Sequence, residues 1–296
     1  MRKREPFALL ITRPVCAFGN LFSESNSRPT EFDSNETDIM ASSLWSTFGG
    51  LFSTDLLTNL GKRQGEILTR KITIDAEDFD YQIYVPADAE KMESLPVIVF
   101  LHGIRERGSG GLIPAEAASS SILKHYLKQV PAVIVFPQCR PGKYWSDTTM
   151  EKMVSGAVEQ TQNEFSADVE RLYLLGVSMG GYGVWHLAMQ FPERFAALVS
   201  ICGGSPLLTG DRFDPIAEKI GKTPAWLFHG ADDNIVPVGE SREIVEAIEK
   251  NQGNVKYNEY AGVGHHVWLN ALGEKDLLPW LLKQNSGEFS RQTLTK

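Results

Sequence analysis

Ser178 has a glycine two residues before it and another two residues after it, in Gly176-Val177-Ser178-Met179-Gly180. The apolar run Leu172-Tyr173-Leu174-Leu175 precedes this pentapeptide, and a helix-compatible stretch over 182–190 follows it. A turn this sharp from strand to helix leaves no room for side chains at the two flanking positions. It forces the serine into a strained backbone conformation and lifts its hydroxyl above the sheet. The N–H of Met179 is then aimed at the same point. Such a serine is equipped for nucleophilic attack on an acyl carbon, provided that a base, an acid and a second oxyanion donor stand nearby. The pentapeptide alone also fits a loop without chemistry, so the rest of the chain has to supply the partners.

Candidates for each partner follow apolar runs. After Leu101 comes His102-Gly103-Ile104-Arg105-Glu106-Arg107-Gly108. Gly103 permits a tight turn that leaves the Ile104 N–H facing the pocket, where with Met179 it forms a two-donor oxyanion hole. His102 reads as a structural histidine that pins this loop. After Phe228 comes His229-Gly230-Ala231-Asp232-Asp233-Asn234-Ile235-Val236-Pro237. The spacing HGxxDxxVP selects Asp233 as the acid that orients a histidine, and leaves Asp232 to solvent or the turn. His229 reads as structural. After a last strand candidate comes Gly262-Val263-Gly264-His265-His266. The glycines supply a flexible turn, and His265, directly after Gly264, is selected over His266 as the base. His125 and His186 fall on helical stretches. Trp145, in the loop over 138–147, either lines an acyl or leaving-group pocket or packs under its own loop.

The elements that position these residues alternate. Residues 67–74 and 79–85 show period-two patterning, as in an antiparallel strand pair with one wet face. Continuous apolar runs over 97–101, 132–136, 172–175, 197–201 and 225–228 fit strands covered on both faces, and 255–260 is a further candidate. Helical segments are expected over 119–128, 149–165, 182–190, 239–250 and 276–283, with Thr148 and Glu151 forming a capping box. The alternation implies an α/β fold, a mostly parallel sheet with helices on both faces, whose ligands sit beyond the carboxyl ends of the strands.

Composition bounds the function. A chain of 296 residues with 42% hydrophobic content is enough for one sizeable core. The net charge of −8 argues against nucleic acid or an anionic membrane surface as partner. Cys16, Cys139 and Cys202 form no disulfide framework, and as an odd, sparse set they suit a reducing compartment. A cytoplasmic location is therefore expected, with secretion the alternative if the N-terminal segment is a signal. No apolar stretch is long enough to span a membrane. Residues 1–64 read as an extension. It begins with a truncated signal-like run, contains the polar segment 23–38, has a second methionine at Met40, and carries a weak amphipathic pattern over 44–60. Residues 65–285 read as the catalytic domain and 286–296 as a polar tail.

In chain order the candidates are serine, acid, histidine. With the stretches VFLHGIRERGSGG, VFPQCRPGKYWSD, RLYLLGVSMGGYGVWHLAMQFPERFAA, LFHGADDNIVP and GVGHHVW, the chain resembles α/β-hydrolases of the esterase branch. That branch includes feruloyl-esterase-like, polyhydroxybutyrate-depolymerase-like and dienelactone-hydrolase-like enzymes, and the microbial group labelled "predicted peptidase" is especially similar. The resemblance covers about residues 66–283. It departs at the oxyanion turn, where such sequences carry a small residue and this one carries Ile104-Arg105. It implies a serine hydrolase that needs neither metal nor cofactor. Its substrate would be a small-molecule or polymer-end ester, and the oligomeric state is left open. Only about twenty residues separate Ile201 from Pro224, where a cap domain is often inserted. An open site follows, suited to short or aromatic acyl groups. A serine peptidase, a non-catalytic protein of the same fold and an acyltransferase are the rival readings.

Overall fold

A computed structural model describes residues 65–108 and 130–287 of the chain. The expected extension over 1–64, the helix over 119–128 and the end of the tail from 288 lie outside the described residues.

The domain opens with β1 (Glu66–Ile74) and β2 (Glu77–Val85), paired antiparallel. Asp75 and Ala76 join them with φ of 50° and 67°, the left-handed pair that a two-residue hairpin needs to match strand twist. Along β1 exposed residues alternate with half-buried ones, as an edge strand should. The expectation of a wet face fails for β2, which is buried from Tyr81 to Val85. It is flanked by β1 on one side and β4 (Val133–Pro137) on the other, and Tyr84 packs into one core cluster while Ile83 packs into the other.

Six further strands complete the sheet: β3 (Val97–Leu101), β4, β5 (Leu172–Val177), β6 (Ala197–Ile201), β7 (Ala225–Gly230) and β8 (Val255–Tyr260). The order across the sheet is β1-β2-β4-β3-β5-β6-β7-β8. From β4 to β8 every pairing is parallel. The strands β3 to β7 are buried almost end to end, as continuous apolar runs covered on both faces must be. Each such Leu, Ile, Val or Phe contributes on the order of 1.5–3 kcal/mol by leaving water.

Helices cover both faces. One buried cluster gathers side chains of α1 (Thr148–Phe165), α2 (Met179–Gln190), α3 (Asp214–Ile220) and α4 (Gly239–Lys250). The other gathers α5 (Trp268–Leu272) and α6 (Leu277–Lys283). α1 buries Met150, Met153, Val154, Ala157 and Val158, the stripe its periodicity implied. Its capping box does not form. The N-cap is Asp147, one residue earlier, and the Glu151 carboxylate bonds the His186 ring at 2.5 Å instead of turning back to the helix start. That bond ties α1 to α2. At the other end, the Ser286 amide donates to Glu170 O at 2.9 Å, so the domain's hydrogen bonding reaches past the expected boundary at 285.

Candidate active site

β5 ends at Val177 and α2 begins at Met179, so Ser178 alone makes the turn. Its φ is 55° and ψ −117°, a conformation that L-residues avoid and that costs about 1–3 kcal/mol. The glycine requirement has a direct cause. A Cβ on Gly176 would sit 2.2 Å from Gly180 O, and one on Gly180 would sit 2.0 Å from Leu101 O. The elbow is therefore wedged against the end of β3, and its strain is held by backbone on both sides.

Three side chains from separate strand ends meet here. His265 Nε2 lies 2.9 Å from Ser178 Oγ, and His265 Nδ1 lies 2.7 Å from Asp233 Oδ2. A carboxylate only accepts, so Nδ1 carries the proton and Nε2 accepts from the serine hydroxyl. Asp233 Oδ1 accepts from the Ile235 and Val236 amides at 2.8 and 2.9 Å. Burial pushes the Asp233 carboxyl up, but the bonds from His265 and the two amides outweigh it and hold the group below its ordinary value. Asp232 and His266 are exposed, whereas Asp233 is buried and His265 half-buried.

The turn after β3 lies against the same serine. A Cβ on Gly103 would come within 3.7 Å of Ser178 Cβ. Ile104 opens a 3-10 turn and Met179 opens α2, and first-turn amides have no partner within their own helix. His102 holds this turn from behind. Its Nδ1–H donates to Gly103 O at 2.6 Å, and its Nε2 accepts from the Cys139 amide at 3.0 Å. Burial lowers its basicity to about 4, against the opposing effect of the bond to Gly103 O.

Trp145, for which two readings were left open, is only 1% exposed. Its Nε1–H donates to His102 O at 3.0 Å, its ring meets the His102 ring edge-on, and its Cβ lies over Gly183 of α2. It braces the Gly103–Ile104 turn through His102.

Two neighbours of the Asp233–His265 pair carried no role beside it in the sequence reading, where His229 was structural and Cys202 an unpaired thiol. His229 Nε2 lies 3.2 Å from Asp233 Oδ2. Cys202, which directly follows β6 with a φ of 41°, places its sulfur within 4.8 Å of ligand atoms of Asp233 and His265. Among the described residues that trio is the one group with metal-ligand chemistry. Burial pushes the Cys202 thiol well above its ordinary value, and a proton already bridges Asp233 and His265. The trio is therefore a neutral thiol beside a proton relay. Position in the sequence offered one hint for each: His229 sits one helical turn before Asp233 in number, and Cys202 ends a strand beside the elbow strand. Cys139 and Cys202 are both free thiols, and β3 and β5 separate their strands.

The chain is similar to several known hydrolases. A family model described as phospholipase/carboxylesterase matches residues 144–275. Over 175 residues the chain is 24% identical to a bifunctional acetylxylan esterase/xylanase of Neocallimastix patriciarum, a match covering 58% of this chain and 23% of that protein. Over 160 residues it is 26% identical to an acyl-protein thioesterase 1 homolog of Dictyostelium discoideum, covering 47% of this chain and 70% of the other. Among solved structures, a thermostable esterase superposes with a TM-score of 0.66 at 31% identity, over 74% of this chain and 63% of that one. The chain thus spans only part of the first of these relatives and of that esterase. Among the described residues no helix is long and apolar enough to cross a membrane. With its eight-stranded, mostly parallel sheet, its strained serine elbow and these matches, the chain has the α/β-hydrolase fold.

Proposed function

We propose that the chain is a serine carboxylic-ester hydrolase, with Ser178 as nucleophile, His265 as base and Asp233 as the acid that orients it. The observation that carries this reading is the unbroken run of contacts, 2.9 Å from Ser178 Oγ to His265 Nε2 and 2.7 Å from His265 Nδ1 to Asp233 Oδ2, on a serine held at φ 55°. The esterases and the thioesterase among its relatives support the same reaction class.

In this reading Ser178 Oγ attacks the ester carbonyl carbon while His265 Nε2 takes its proton. The carbonyl oxygen becomes an oxyanion, held by the Ile104 and Met179 amides at the positive end of α2. The tetrahedral species collapses, the bond to the leaving oxygen breaks, and His265 returns the proton to the departing alcohol. Water, deprotonated by the same nitrogen, then attacks the acyl-enzyme, and Ser178 recovers its proton as the carboxylic acid leaves. Asp233 keeps the imidazole in the tautomer with Nδ1–H and stabilises the imidazolium. Each oxyanion donor supplies about 3 kcal/mol in the transition state.

Short or aromatic acyl groups fit this site best. The connection from β6 to β7 carries only the short α3, so it contributes no cap domain over Ser178. The domain that begins at residue 65 carries every proposed catalytic group.

The test is a panel of nitrophenyl esters of graded acyl length and aromaticity, run beside chromogenic peptides, with fluorophosphonate labelling of the parent and of Ser178→Ala. Ester turnover and labelling in the parent, both absent from the variant, are expected. Peptide turnover exceeding ester turnover would replace the esterase reading by the peptidase one. Labelling that survives in Ser178→Ala would remove the nucleophile.

A further inference from the structure

His229 is wholly buried and makes three polar contacts, each of which constrains the ring. Its Nε2 lies 3.0 Å from Val236 O and 3.2 Å from Asp233 Oδ2. A carbonyl and a carboxylate oxygen only accept, so Nε2 carries a proton, donated to Val236 O. Its Nδ1 lies 2.7 Å from Ser241 Oγ, on α4, which is itself 1% exposed. Burial pushes the imidazole below its ordinary value, so the ring is neutral and Nδ1 accepts the Ser241 hydroxyl proton.

Asp233 therefore accepts from three donors, two amides on Oδ1 and His265 Nδ1–H on Oδ2, and His229 Nε2–H, bonded to Val236 O, lies 3.2 Å from the same Oδ2. The amides alone would let the carboxylate pivot about its Oδ1 side. The second imidazole removes that freedom at the oxygen that faces His265. It also takes up part of the negative charge that would otherwise act on His265 alone. The other ionisable groups near this pair are Cys202 and Tyr182, both pushed up by burial, and Glu259, which is held by Arg242.

We infer that His229 is a positioning residue for the relay: it holds Asp233 Oδ2 in register with His265 and, through Ser241, ties the acid to α4. This rests on the proposed roles of Ser178, Asp233 and His265, and adds to them a histidine that touches neither substrate nor nucleophile.

The experiment compares parent, His229→Phe, His229→Gln, His229→Asn and Ser178→Ala on a short-chain nitrophenyl ester, across pH, with urea unfolding of each. His229→Phe removes the donor, His229→Asn is too short to reach Oδ2, and His229→Gln keeps an amide N–H at similar reach. In His229→Phe and His229→Asn, kcat is expected to fall by about thirtyfold with KM within about twofold. The acid limb of their kcat/KM profile should move up by about half a pH unit. His229→Gln should return kcat to within about fivefold of the parent, with its acid limb restored. Should His229→Phe fail to fold, the contrast between His229→Asn and His229→Gln decides. Equal losses in those two, with an unmoved acid limb, would reduce His229 to a packing residue and overturn the inference, as would folded variants with parental kcat. Turnover persisting in Ser178→Ala would instead defeat the underlying assignment, a result distinct from either.

Discussion

The carbonyl oxygen of Leu101 lies 2.0 Å from where a Cβ on Gly180 would be. The last residue of β3 and the second glycine of the elbow are thus in backbone contact, although they stand far apart in the chain. The elbow is consequently a tertiary object: its sharpness is imposed by a neighbouring strand end as much as by its own sequence.

Gly180→Ala should destabilise the fold by at least about 2 kcal/mol, because the obstacle is backbone and cannot rotate away. Gly239→Ala is the contrast. It opens α4 with nothing within 4 Å of an added Cβ, so it should be neutral or stabilising by about 0.5 kcal/mol. Urea unfolding of the two variants gives the ranking, and a Gly180→Ala variant as stable as the parent would contradict the close approach.

Ser178→Gly should separate strain from activity. Glycine relieves the cost of the φ of 55°, about 1–3 kcal/mol, and returns about 0.5–1 kcal/mol through the freer unfolded chain. A variant with no ester turnover yet at least as stable as the parent is expected. Ser178→Ala, which keeps the Cβ, should be less stable than Ser178→Gly. The reverse order would mean that the elbow stores no strain.

The paired residues give a direct test of role. Asp233→Asn should lower kcat by about 10⁴-fold, since an amide favours the wrong histidine tautomer, while exposed Asp232→Asn should stay within about threefold. His265→Ala should be inactive and His266→Ala close to the parent. Comparable losses within either pair would dissolve the assignment.

Stability should fall as the medium is acidified through the histidine range. Burial holds His102 down at about 4 and also lowers His229, whereas an unfolded histidine titrates near 6.5. Between those values the unfolded chain binds more protons than the folded one, so the unfolding free energy drops as pH falls from about 6.5 towards 4. For His102 alone the full drop is about 3 kcal/mol. Urea unfolding at about pH 7.5 and about pH 5 should show about 2 kcal/mol of it. His102→Asn, which has no group to titrate there, should show a shallower dependence even if less stable throughout.

Short-range physics was legible in the chain itself. The continuous apolar runs of β3 to β7 mark strands covered on both faces, because periodicity records how an element is buried. The glycines around Ser178 mark a turn that side chains would block. The serine–acid–histidine order, with each member after an apolar run, placed all three beyond the carboxyl ends of strands. Of the two adjacent pairs, the fold buries Asp233 and half-buries His265 while leaving Asp232 and His266 exposed. Tertiary structure alone decided which neighbours those elements have. β2 lost its wet face because both of its faces are packed, Ile83 into one core cluster and Tyr84 into the other. Glu151 left its helix cap because His186 on α2 offered a closer partner. Trp145 turned beneath the Gly103–Ile104 turn, and His229 came to lie beside Asp233 with His265. The reason is common to all four: a local pattern states that a side chain must be buried or hydrogen-bonded, but the partner comes from a remote segment, and only the packed sheet and its helices bring that segment within reach.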